Sequence, residues 1–504
     1  MNAIILAILS GSLLIFSQLP FKLGSLGWFA LVPLFLALQG KNLKKSFLYG
    51  FIAGAVYFSG ILYWILPLRM PITIFATIIL VAYLALSFGL FSLCFNFLSV
   101  KFKQSALNYV FFAAILWVSI EYLRTLGPLG FPWGFIAYSQ WQNLMLIQIS
   151  DITGVYGVSF VLILFNAALA WIIYQYRKPF DVKRLATASA MWMSLILISV
   201  LIFVFFYGMK NVAKYTSVVS DKANEVDVAL VQGNIDQDKK WDSSYLSQSL
   251  GTYINITREM RTFPDLIVWP ETAITLSLNE NESLRVLAKN FTKTCGTYFL
   301  TGVDETEKGK YYNRAVLFSP DGEIAGSYDK IHLVPFGEQT PYILKIIFPF
   351  LKTMIKGEDF VSGKERTVFV HPKTKFGVNV CFESIFPDET RQYAKNGSEI
   401  LINLTNDAWF GRTCAPYQHF SINVFRAVEN RMEIARAANS GISGFVNKLG
   451  QPQFTTKIYT QNLSRTFMKL RNETTFYTRF GDIFSIVCLI SFLILLVIPA
   501  LKRK

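Results

Sequence analysis

The strongest constraint on the fold is a series of long apolar segments in the first 209 residues, with one more near residue 490. A helix needs about 20 mostly apolar residues to cross the hydrocarbon layer, because a span must satisfy its own backbone hydrogen bonds. We predict about eight spans, the second of them short, at residues 3–19, 27–38, 46–68, 72–98, 106–123, 155–174, 187–207 and 483–501. The sequence therefore predicts an all-α membrane bundle of about seven helices over 1–209, and a final span with a basic tail over 483–504.

The charge distribution excludes a nucleic-acid partner. The chain has 48 Lys and Arg against 33 Asp and Glu, a formal net charge of +15. Residues 210–482 hold 33 of these basic and 30 of these acidic residues, so most of the surplus lies between and beside the apolar segments. Such a surplus orients a protein in a bilayer, whereas a nucleic-acid footprint clusters on a soluble face.

The basic residues also predict an orientation. With eight spans, one side of the membrane receives Lys41, Lys44, Lys45, Lys101, Lys103, Arg177, Lys178, Lys183, Arg184, Lys502, Arg503 and Lys504. The short connections on the other side carry Lys22, Arg69 and Arg124. By the positive-inside rule the first side is cytoplasmic. We therefore expect residues 210–482 to lie outside the cytoplasm, an orientation that one added or lost span would reverse.

Residues 210–482 alternate between strand-like and helical patterns. Strand-like runs lie at 226–231, 266–269, 298–302, 376–381 and 400–404, and helical runs include 283–294 and 422–438. This alternation predicts an α/β domain whose chemistry lies on loops at strand ends.

The cysteines and histidines of this domain do not form a recognisable metal or disulfide framework. The domain has an odd number of cysteines, Cys295, Cys381 and Cys414, which argues against a complete disulfide framework. A Cys295–Cys414 disulfide would leave Cys381 free, but the sequence does not establish that pairing. The three histidines are widely spaced and no paired C-x-x-C is present. We expect neither a metal centre nor a cofactor.

Three residues could together carry nucleophilic chemistry. Cys381 leaves an apolar strand, so its thiol can be exposed beside free backbone N–H groups, although a cysteine there can also be an inert buried thiol. Glu271 follows Trp269-Pro270 and is either a general base or an acid at a helix start. Lys330 is either a charged group of the site or a lysine in a solvated ion pair.

The motifs around these three residues, and their order along the chain, resemble those of a known enzyme superfamily. A Glu after Trp-Pro, a Lys within Tyr328–Glu338, and a Cys followed two residues later by Glu resemble the nitrilase superfamily. Within it the chain most resembles the bacterial apolipoprotein N-acyltransferases, over essentially its whole length. Further matching segments are Val231–Ile235, Lys240–Asp242, Tyr312-Asn313, Leu404–Gly411 and Gln418–Phe420.

The resemblance implies a nitrilase-like αββα sandwich inserted before the last span, with Glu271, Lys330 and Cys381 as a catalytic triad. Glu271 would act as the general base, and Cys381 would hold the acyl group as a thioester. Lys330 would stabilise the oxyanion together with a backbone N–H near Phe382. Family members commonly carry Tyr where this chain has Phe382, so a role of that hydroxyl does not transfer.

Other residues match positions around the site of such enzymes. Glu338 and Glu383 would orient Lys330 or support proton transfer, and surface ion pairing is their alternative. The candidate substrate-binding residues are Trp133, Trp241, Asn313 and Trp409. Trp133 lies in Gly127–Gly134, which is too rich in helix breakers to be a continuous span and is either a wall of a lipid-accessible site or a connecting loop.

The implied reaction is transfer of an acyl chain from a membrane phospholipid, by resemblance phosphatidylethanolamine, to the N-terminal α-amine of a diacylated apolipoprotein. The resemblance also implies a multi-pass protein of the bacterial inner membrane with its catalytic domain on the periplasmic side, and we expect a monomer. A membrane-anchored amidase using the same triad is the first alternative. A noncatalytic lipid-binding protein or transporter is the second, and the scarcity of charged residues within the spans disfavours an ion pathway.

Overall fold

The computed structural model describes residues 2–68, 73–102, 105–176, 188–216, 222–340, 346 and 359–501. The chain divides into two compact units. Met1–Thr216 and Phe480–Lys504 form the helical unit, and Ser217–Arg479 form the α/β unit. Several basic residues used to predict the orientation lie outside the described residues: Arg69, Lys103, Arg177, Lys178, Lys183, Arg184, Lys502, Arg503 and Lys504.

The helical unit is built from apolar helices. Its helices are α1 (Ala3–Ser17), α2 (Val32–Leu38), α3 (Leu43–Ile61), α4 (Thr73–Lys101), α5 (Ala106–Leu123), α6 (Leu144–Ile147), α7 (Ser150–Thr153), α8 (Val155–Tyr176), α9 (Ala188–Thr216) and, after the α/β unit, α16 (Ile483–Leu501).

Four helices of the described chain are long and apolar enough to cross a membrane. They are Thr73–Lys101, Ala106–Leu123, Val155–Tyr176 and Ala190–Thr216, each of which overlaps a predicted span. Shorter apolar helices lie at Ala3–Ser17, Gly24–Leu38, Leu144–Thr153 and Ile483–Pro499. The protein therefore has several membrane-type helices, and the count of eight spans stays a prediction.

Helices α1, α3 and α4 pack closely because their contacts contain glycine. A Cβ atom at Gly11 would meet the carbonyl oxygen of Ala53, and one at Gly50 would meet that of Phe88. Inside a bilayer no hydrophobic effect drives helices together. Small residues at helix contacts let the backbones approach closely, and the resulting van der Waals contacts stabilise the packing.

Two buried ionisable side chains, Arg124 and Glu121, hold the loop after α5 through hydrogen bonds to its backbone. Arg124 donates to the carbonyl oxygens of Phe131 (3.3 Å) and Trp133 (2.5 Å). Glu121 accepts from the backbone N–H of Ile136 at 3.1 Å. The segment Gly127–Gly134 is a loop, as its glycine and proline content predicts.

The α/β unit contains two six-stranded sheets within the described residues. Its strands are β1 (Glu225–Gln232), β2 (Leu266–Val268), β3 (Tyr298–Glu307), β4 (Lys310–Phe318), β5 (Ile324–Asp329), β6 (Val368–His371), β7 (Thr374–Val380), β8 (Ile400–Thr405), β9 (Glu433–Ala438), β10 (Gly444–Val446), β11 (Pro452–Gln453) and β12 (Asn462–Lys469). The strand orders are β12-β1-β2-β3-β4-β5 and β11-β10-β9-β8-β7-β6.

Each sheet is parallel in its centre and antiparallel towards its edges. The parallel strands are β1, β2 and β3 in one sheet and β7, β8 and β9 in the other. Every residue of β1, β8 and β9 is buried. This burial fits strands that are covered on both faces and explains why β1 and β8 are rich in Val, Leu and Ile without a strict alternation of apolar and polar residues.

Helices cover the outer faces of the two sheets. The helices of this unit are α10 (Gln237–Lys240), α11 (Leu246–Arg258), α12 (Glu282–Cys295), α13 (Pro387–Lys395), α14 (Ala415–Asn430) and α15 (Phe476–Phe480). Strand β1 packs against β9, α11 packs on β1, and α13 and α14 pack on the second sheet. The predicted αββα sandwich of the nitrilase type is confirmed.

The helical prediction for residues 422–438 is wrong in its second half. Helix α14 ends at Asn430, Arg431 adopts φ = +47°, and Glu433–Ala438 form the central strand β9. The Ala-rich sequence of β9 favours a helix locally, but pairing with β8 and β10 overrides this weak preference.

Candidate active site

The ends of three strands bring together Glu271, Lys330 and Cys381. Glu271 follows β2, Lys330 follows β5 and Cys381 follows β7. All three are buried, with 6%, 1% and 7% of their surface exposed. The two sheets thus contribute to one enclosed cluster of ionisable groups.

The turn that carries Glu271 is anchored by the preceding tryptophan. The Trp269 ring lies 5.1 Å from that of Tyr253 and 4.7 Å from that of Phe299, and its indole N–H donates to Thr257. Thr272 adopts φ = +43°, and the turn lies so close to β3 that a Cβ at Gly302 would meet its backbone. This packing fixes the backbone from which the Glu271 side chain extends.

Lys330 lies between two carboxylates. Its Nζ is 2.8 Å from Glu338 Oε1 and 3.4 Å from Glu271 Oε1. Burial disfavours the charged ammonium, but Glu338 and Glu271 outweigh it and hold the pKa of Lys330 above its usual value. Lys330 is therefore a fixed positive charge in a site shielded from water.

Asn313 connects the same two carboxylates. Its Nδ2 group donates to Glu271 Oε1 and to Glu338 Oε1, each at 2.8 Å. Asn313 and Glu338 thus orient Glu271 and Lys330. For Asn313 this geometry favours a positioning role over the expected direct contact with substrate.

Cys381 occupies a sharp elbow at the end of β7. It adopts φ = +51°, in the left-handed region, and begins the short 3-10 helix Cys381–Ile385. Burial and the Glu271 carboxylate raise the pKa of its thiol, while Lys330 opposes this shift. The resting thiol is therefore protonated and needs a base to become a nucleophile.

Glu383 ties the Lys330 segment to this elbow. Its carboxylate accepts from the backbone N–H groups of Ile331 (2.7 Å), His332 (3.1 Å) and Val380 (2.7 Å). The hydroxyl of Tyr328 donates to it at 2.7 Å. These contacts favour orientation of Lys330 as the function of Glu383. The neighbouring Phe382 is buried, with its ring 5.4 Å from that of Phe386.

A second buried lysine was missed by the sequence reasoning. Lys240 Nζ donates to the backbone oxygen of Glu271 at 3.0 Å, and burial lowers the pKa of Lys240 to about 8. Lys240 directly precedes Trp241 in the segment Lys240–Asp242, from which the sequence analysis singled out Trp241 alone.

A buried network of Asp407, His419 and Arg436 lies directly behind Cys381 and was also missed. One possible metal-ligand atom from each of Cys381, Asp407 and His419 lies within 4.8 Å of the other two, so the three side chains could together bind a metal ion. However, Arg436 Nη2 lies 2.8 Å from Asp407 Oδ2 and 3.0 Å from His419 Nδ1. The guanidinium already supplies positive charge there and opposes a second cation. Asp407 lies in the matching segment Leu404–Gly411 and His419 in Gln418–Phe420, whereas Arg436 gave no sequence signal.

The predicted tryptophans lie in different surroundings. Trp241 and Trp409 are exposed, their ring centroids are 6.1 Å apart, and Asn406 and Gln237 link their loops by a hydrogen bond of 3.0 Å. Trp133 belongs to the helical unit, where it is buried against Phe131 and Trp64.

All five cysteines lie within the described residues and are free thiols. The disulfide between Cys295 and Cys414 that the sequence left open is not formed.

Comparisons with known proteins match both parts of the chain. Residues 10–168 match the model of the apolipoprotein N-acyltransferase N-terminal domain, and residues 227–466 match that of the carbon-nitrogen hydrolases. An apolipoprotein N-acyltransferase of Geobacter metallireducens is 36% identical over 503 residues, covering 96% of this chain and 92% of the relative. Apolipoprotein N-acyltransferase 1 of Treponema denticola is 32% identical over 507 residues, covering 92% and 89%.

Among solved structures, a CN-hydrolase superfamily protein of Xanthomonas campestris is 18% identical with a TM-score of 0.39, over 49% of this chain and 91% of that protein.

The fold and the matching family models define an enzyme with a nitrilase-superfamily catalytic domain joined to a helical membrane domain. The chain belongs to the apolipoprotein N-acyltransferase family.

Proposed function

We propose that this acyltransferase moves a fatty acyl chain from a membrane phospholipid, through a thioester on Cys381, to the N-terminal α-amine of diacylglyceryl-cysteine in a lipoprotein. The observation that carries the proposal is the buried cluster in which Lys330 contacts Glu271 and Glu338 beside the Cys381 thiol. It contains a base, a fixed cation and a nucleophile, which are the groups that acyl transfer through a thioester requires.

In the first step, Glu271 takes the proton of the Cys381 thiol, and the sulfur attacks the ester carbonyl of the phospholipid. Lys330 and a backbone N–H at Phe382 stabilise the tetrahedral oxyanion. The carbon–oxygen ester bond then breaks, and Glu271 returns the proton to the departing lysophospholipid. The acyl chain remains on the Cys381 sulfur as a thioester.

In the second step, the neutral α-amine of the acceptor attacks the thioester. Glu271 removes a proton from the nitrogen, the carbon–sulfur bond breaks and the proton returns to the Cys381 thiolate. Acyl transfer therefore leaves the enzyme unchanged and needs no redox partner.

The apolar helices support delivery of both substrates from the bilayer. Moving an acyl chain through water would cost about 0.8 kcal/mol for each exposed CH₂ group. We infer an inner-membrane monomer with eight spans, a periplasmic domain over 210–482 and a final span with a basic tail over 483–504. Phosphatidylethanolamine is the proposed donor, and Trp133, Trp241 and Trp409 are proposed to contact the substrates.

Incubation of the purified full chain with acyl-labelled phosphatidylethanolamine and a diacylated lipopeptide tests this function. We expect label on the lipopeptide amine, and no transfer by the Cys381→Ala variant. Exclusive release of free fatty acid, or release of ammonia from amides, would support the amidase alternative. Binding of lipid without any covalent product would contradict both enzymes.

A further inference from the structure

Two side chains form hydrogen bonds with the backbone carbonyl oxygen of Cys381. His419 Nε2 lies 3.0 Å from this oxygen, and Ser384 Oγ donates to it at 3.1 Å. The left-handed conformation of Cys381, with φ = +51°, is one that non-glycine residues keep only where their surroundings enforce it. The contact with His419 is therefore a candidate for the restraint that maintains the elbow.

The contacts of His419 determine which ring nitrogen carries the proton. A carbonyl oxygen only accepts hydrogen bonds, so Nε2 must donate to Cys381. Nδ1 lies 3.0 Å from Arg436 Nη2, which donates, and 3.0 Å from Asp407 Oδ1, which accepts, so the contacts of Nδ1 do not place the proton. The Cys381 carbonyl requires it on Nε2, and in a neutral ring Nδ1 then accepts from Arg436. Burial and Arg436 lower the pKa of His419, in agreement with a neutral ring.

Rigid elements hold this ring in place. His419 lies within α14, Asp407 follows β8 and Arg436 is in β9. Asp407 Oδ1 is 3.0 Å from His419 Nδ1, while Arg436 bridges Asp407 Oδ2 and the ring. Arg436 also donates to Asn403 Oδ1 in β8 at 2.5 Å. The position of Nε2 is thus fixed by the centre of the second sheet.

Fixing the Cys381 carbonyl also fixes the next N–H group. The C=O of Cys381 and the N–H of Phe382 belong to one planar trans peptide, so they point in opposite directions. With the carbonyl turned towards His419, the N–H of Phe382 points away from His419. A flip of this peptide would exchange an N–H donor for a carbonyl oxygen.

We propose that His419 is a positioning residue for oxyanion stabilisation: its Nε2–H holds the Cys381–Phe382 peptide so that the Phe382 N–H faces the reacting carbonyl. The inference rests on the proposed thioester chemistry and adds a residue to it. His419 touches no substrate and acts through the peptide plane. Replacing His419 therefore slows reactions of Cys381 that form an oxyanion and leaves the rates of other reactions of Cys381 unchanged.

Two reactions of the same sulfur separate this role from a general structural one. Acylation of Cys381 by a p-nitrophenyl fatty ester passes through a tetrahedral oxyanion, whereas alkylation by iodoacetamide is a direct displacement without one. Both are followed by mass spectrometry of the Cys381 peptide in the full chain. In the His419→Asn variant, whose side chain is too short to reach the carbonyl, we expect acylation to fall about 10²- to 10³-fold. We expect its KM for the ester and its alkylation rate to change by no more than about threefold, because neither depends on the oxyanion.

The His419→Gln variant is the matched control. Its amide NH₂ can replace Nε2–H as donor, so we expect it to recover at least about tenfold of the lost acylation rate. Equal losses of acylation and alkylation in His419→Asn would overturn the proposal, as would unchanged acylation or a His419→Gln variant as slow as His419→Asn. Wild-type protein that reacts with the ester but with no phospholipid would contradict the proposed function. The ester and iodoacetamide rates of the His419 variants would still test the role of His419.

Discussion

At the scale of single residues, the site combines groups whose environments set their chemistry. The Cys381 thiol is kept protonated by burial and by the carboxylate of Glu271, and Lys330 is kept charged by Glu338 and Glu271. A nucleophile that is protonated at rest makes a neighbouring base necessary. This requirement leads to the first prediction.

Glu271→Gln should block thioester formation while leaving lipid binding intact. Glutamine keeps an oxygen that can accept the hydrogen bond of Asn313 but cannot take the thiol proton at neutral pH. We expect acyl-enzyme formation to fall about 10²- to 10⁴-fold. Rapid-quench measurement with labelled phospholipid checks the rate, and equilibrium binding of the lipid checks the ground state.

The exposed ion-pair residue Glu282, which pairs with Arg285, provides the control Glu282→Gln for that experiment. It should behave as wild type. A normal acyl-enzyme level in Glu271→Gln would contradict the role of Glu271 as base.

Single residues also show how far sequence reasoning reaches. Glu271, Lys330 and Cys381 could be proposed because each lies next to a recognisable strand or motif. Lys240, His419 and Arg436 could not, because their roles depend on contacts between distant segments, such as Lys240 with the Glu271 backbone. A local pattern does not encode which buried lysine or arginine meets which carboxylate.

At the scale of elements, the site depends on loops that are locked to one another. The Glu383 carboxylate accepts from backbone N–H groups of two segments, one just before Cys381 and one just after Lys330. One carboxylate thus connects, by hydrogen bonds, two segments that lie about 50 positions apart in the sequence.

Glu383→Gln should loosen this connection. Replacing one carboxylate oxygen by NH₂ turns a donor towards backbone N–H groups and leaves buried donors unpaired, which costs about 1–3 kcal/mol. We expect a lower unfolding midpoint and slower acylation. Glu323→Gln, at an exposed ion pair with Lys289, should change stability by less than about 1 kcal/mol.

Thermal and denaturant unfolding of both variants in detergent measures the difference. Equal stability of Glu383→Gln and Glu323→Gln would contradict the connecting role of Glu383.

The elements also differ in how well they were predicted. Strands β1 and β8 are fully buried and rich in Val, Leu and Ile, so their positions were read correctly from composition. Strand β9 is equally buried, but Arg436 and three alanines among its six residues resemble a helix pattern. Its strand conformation is set by its neighbours in the sheet.

At the scale of the whole molecule, the free energy of unfolding should depend on pH through the buried carboxyl of Glu433, at the start of β9. Burial raises the pKa of Glu433 to about 7, partly countered by the Lys469 backbone N–H, Lys448 and Lys469. Because the unfolded group ionises at its ordinary, lower pKa, its contribution to stability is present in acid and is lost as pH rises to about 7.

Glu433→Gln should therefore stabilise the protein at pH 8 by about 1–3 kcal/mol, since each pKa unit corresponds to about 1.4 kcal/mol. At pH 4.5 the variant and the wild type should unfold at similar midpoints, because the wild-type carboxyl is then protonated in the folded state. Unfolding midpoints across this pH range check the sign. A variant less stable than wild type at pH 8 would contradict the assignment.

The proposed orientation is tested on intact and permeabilised spheroplasts. Lys310 is an exposed residue of the α/β unit, and Lys44 is an exposed residue at the start of α3. We expect Lys310→Cys to react with a membrane-impermeant maleimide in intact spheroplasts, and Lys44→Cys only after permeabilisation. The reverse pattern would show that the number of spans, and hence the orientation, is wrong.

The most direct measurement of the central claim is mass spectrometry of the acyl-enzyme. The full chain is mixed with phospholipid carrying a labelled acyl chain, quenched, digested and analysed, and a second portion receives the diacylated lipopeptide before quenching. We predict the label on the peptide containing Cys381 and its loss from that peptide as the lipopeptide amine becomes acylated. Label on another residue, or transfer to the lipopeptide without any label passing through Cys381, would contradict the account.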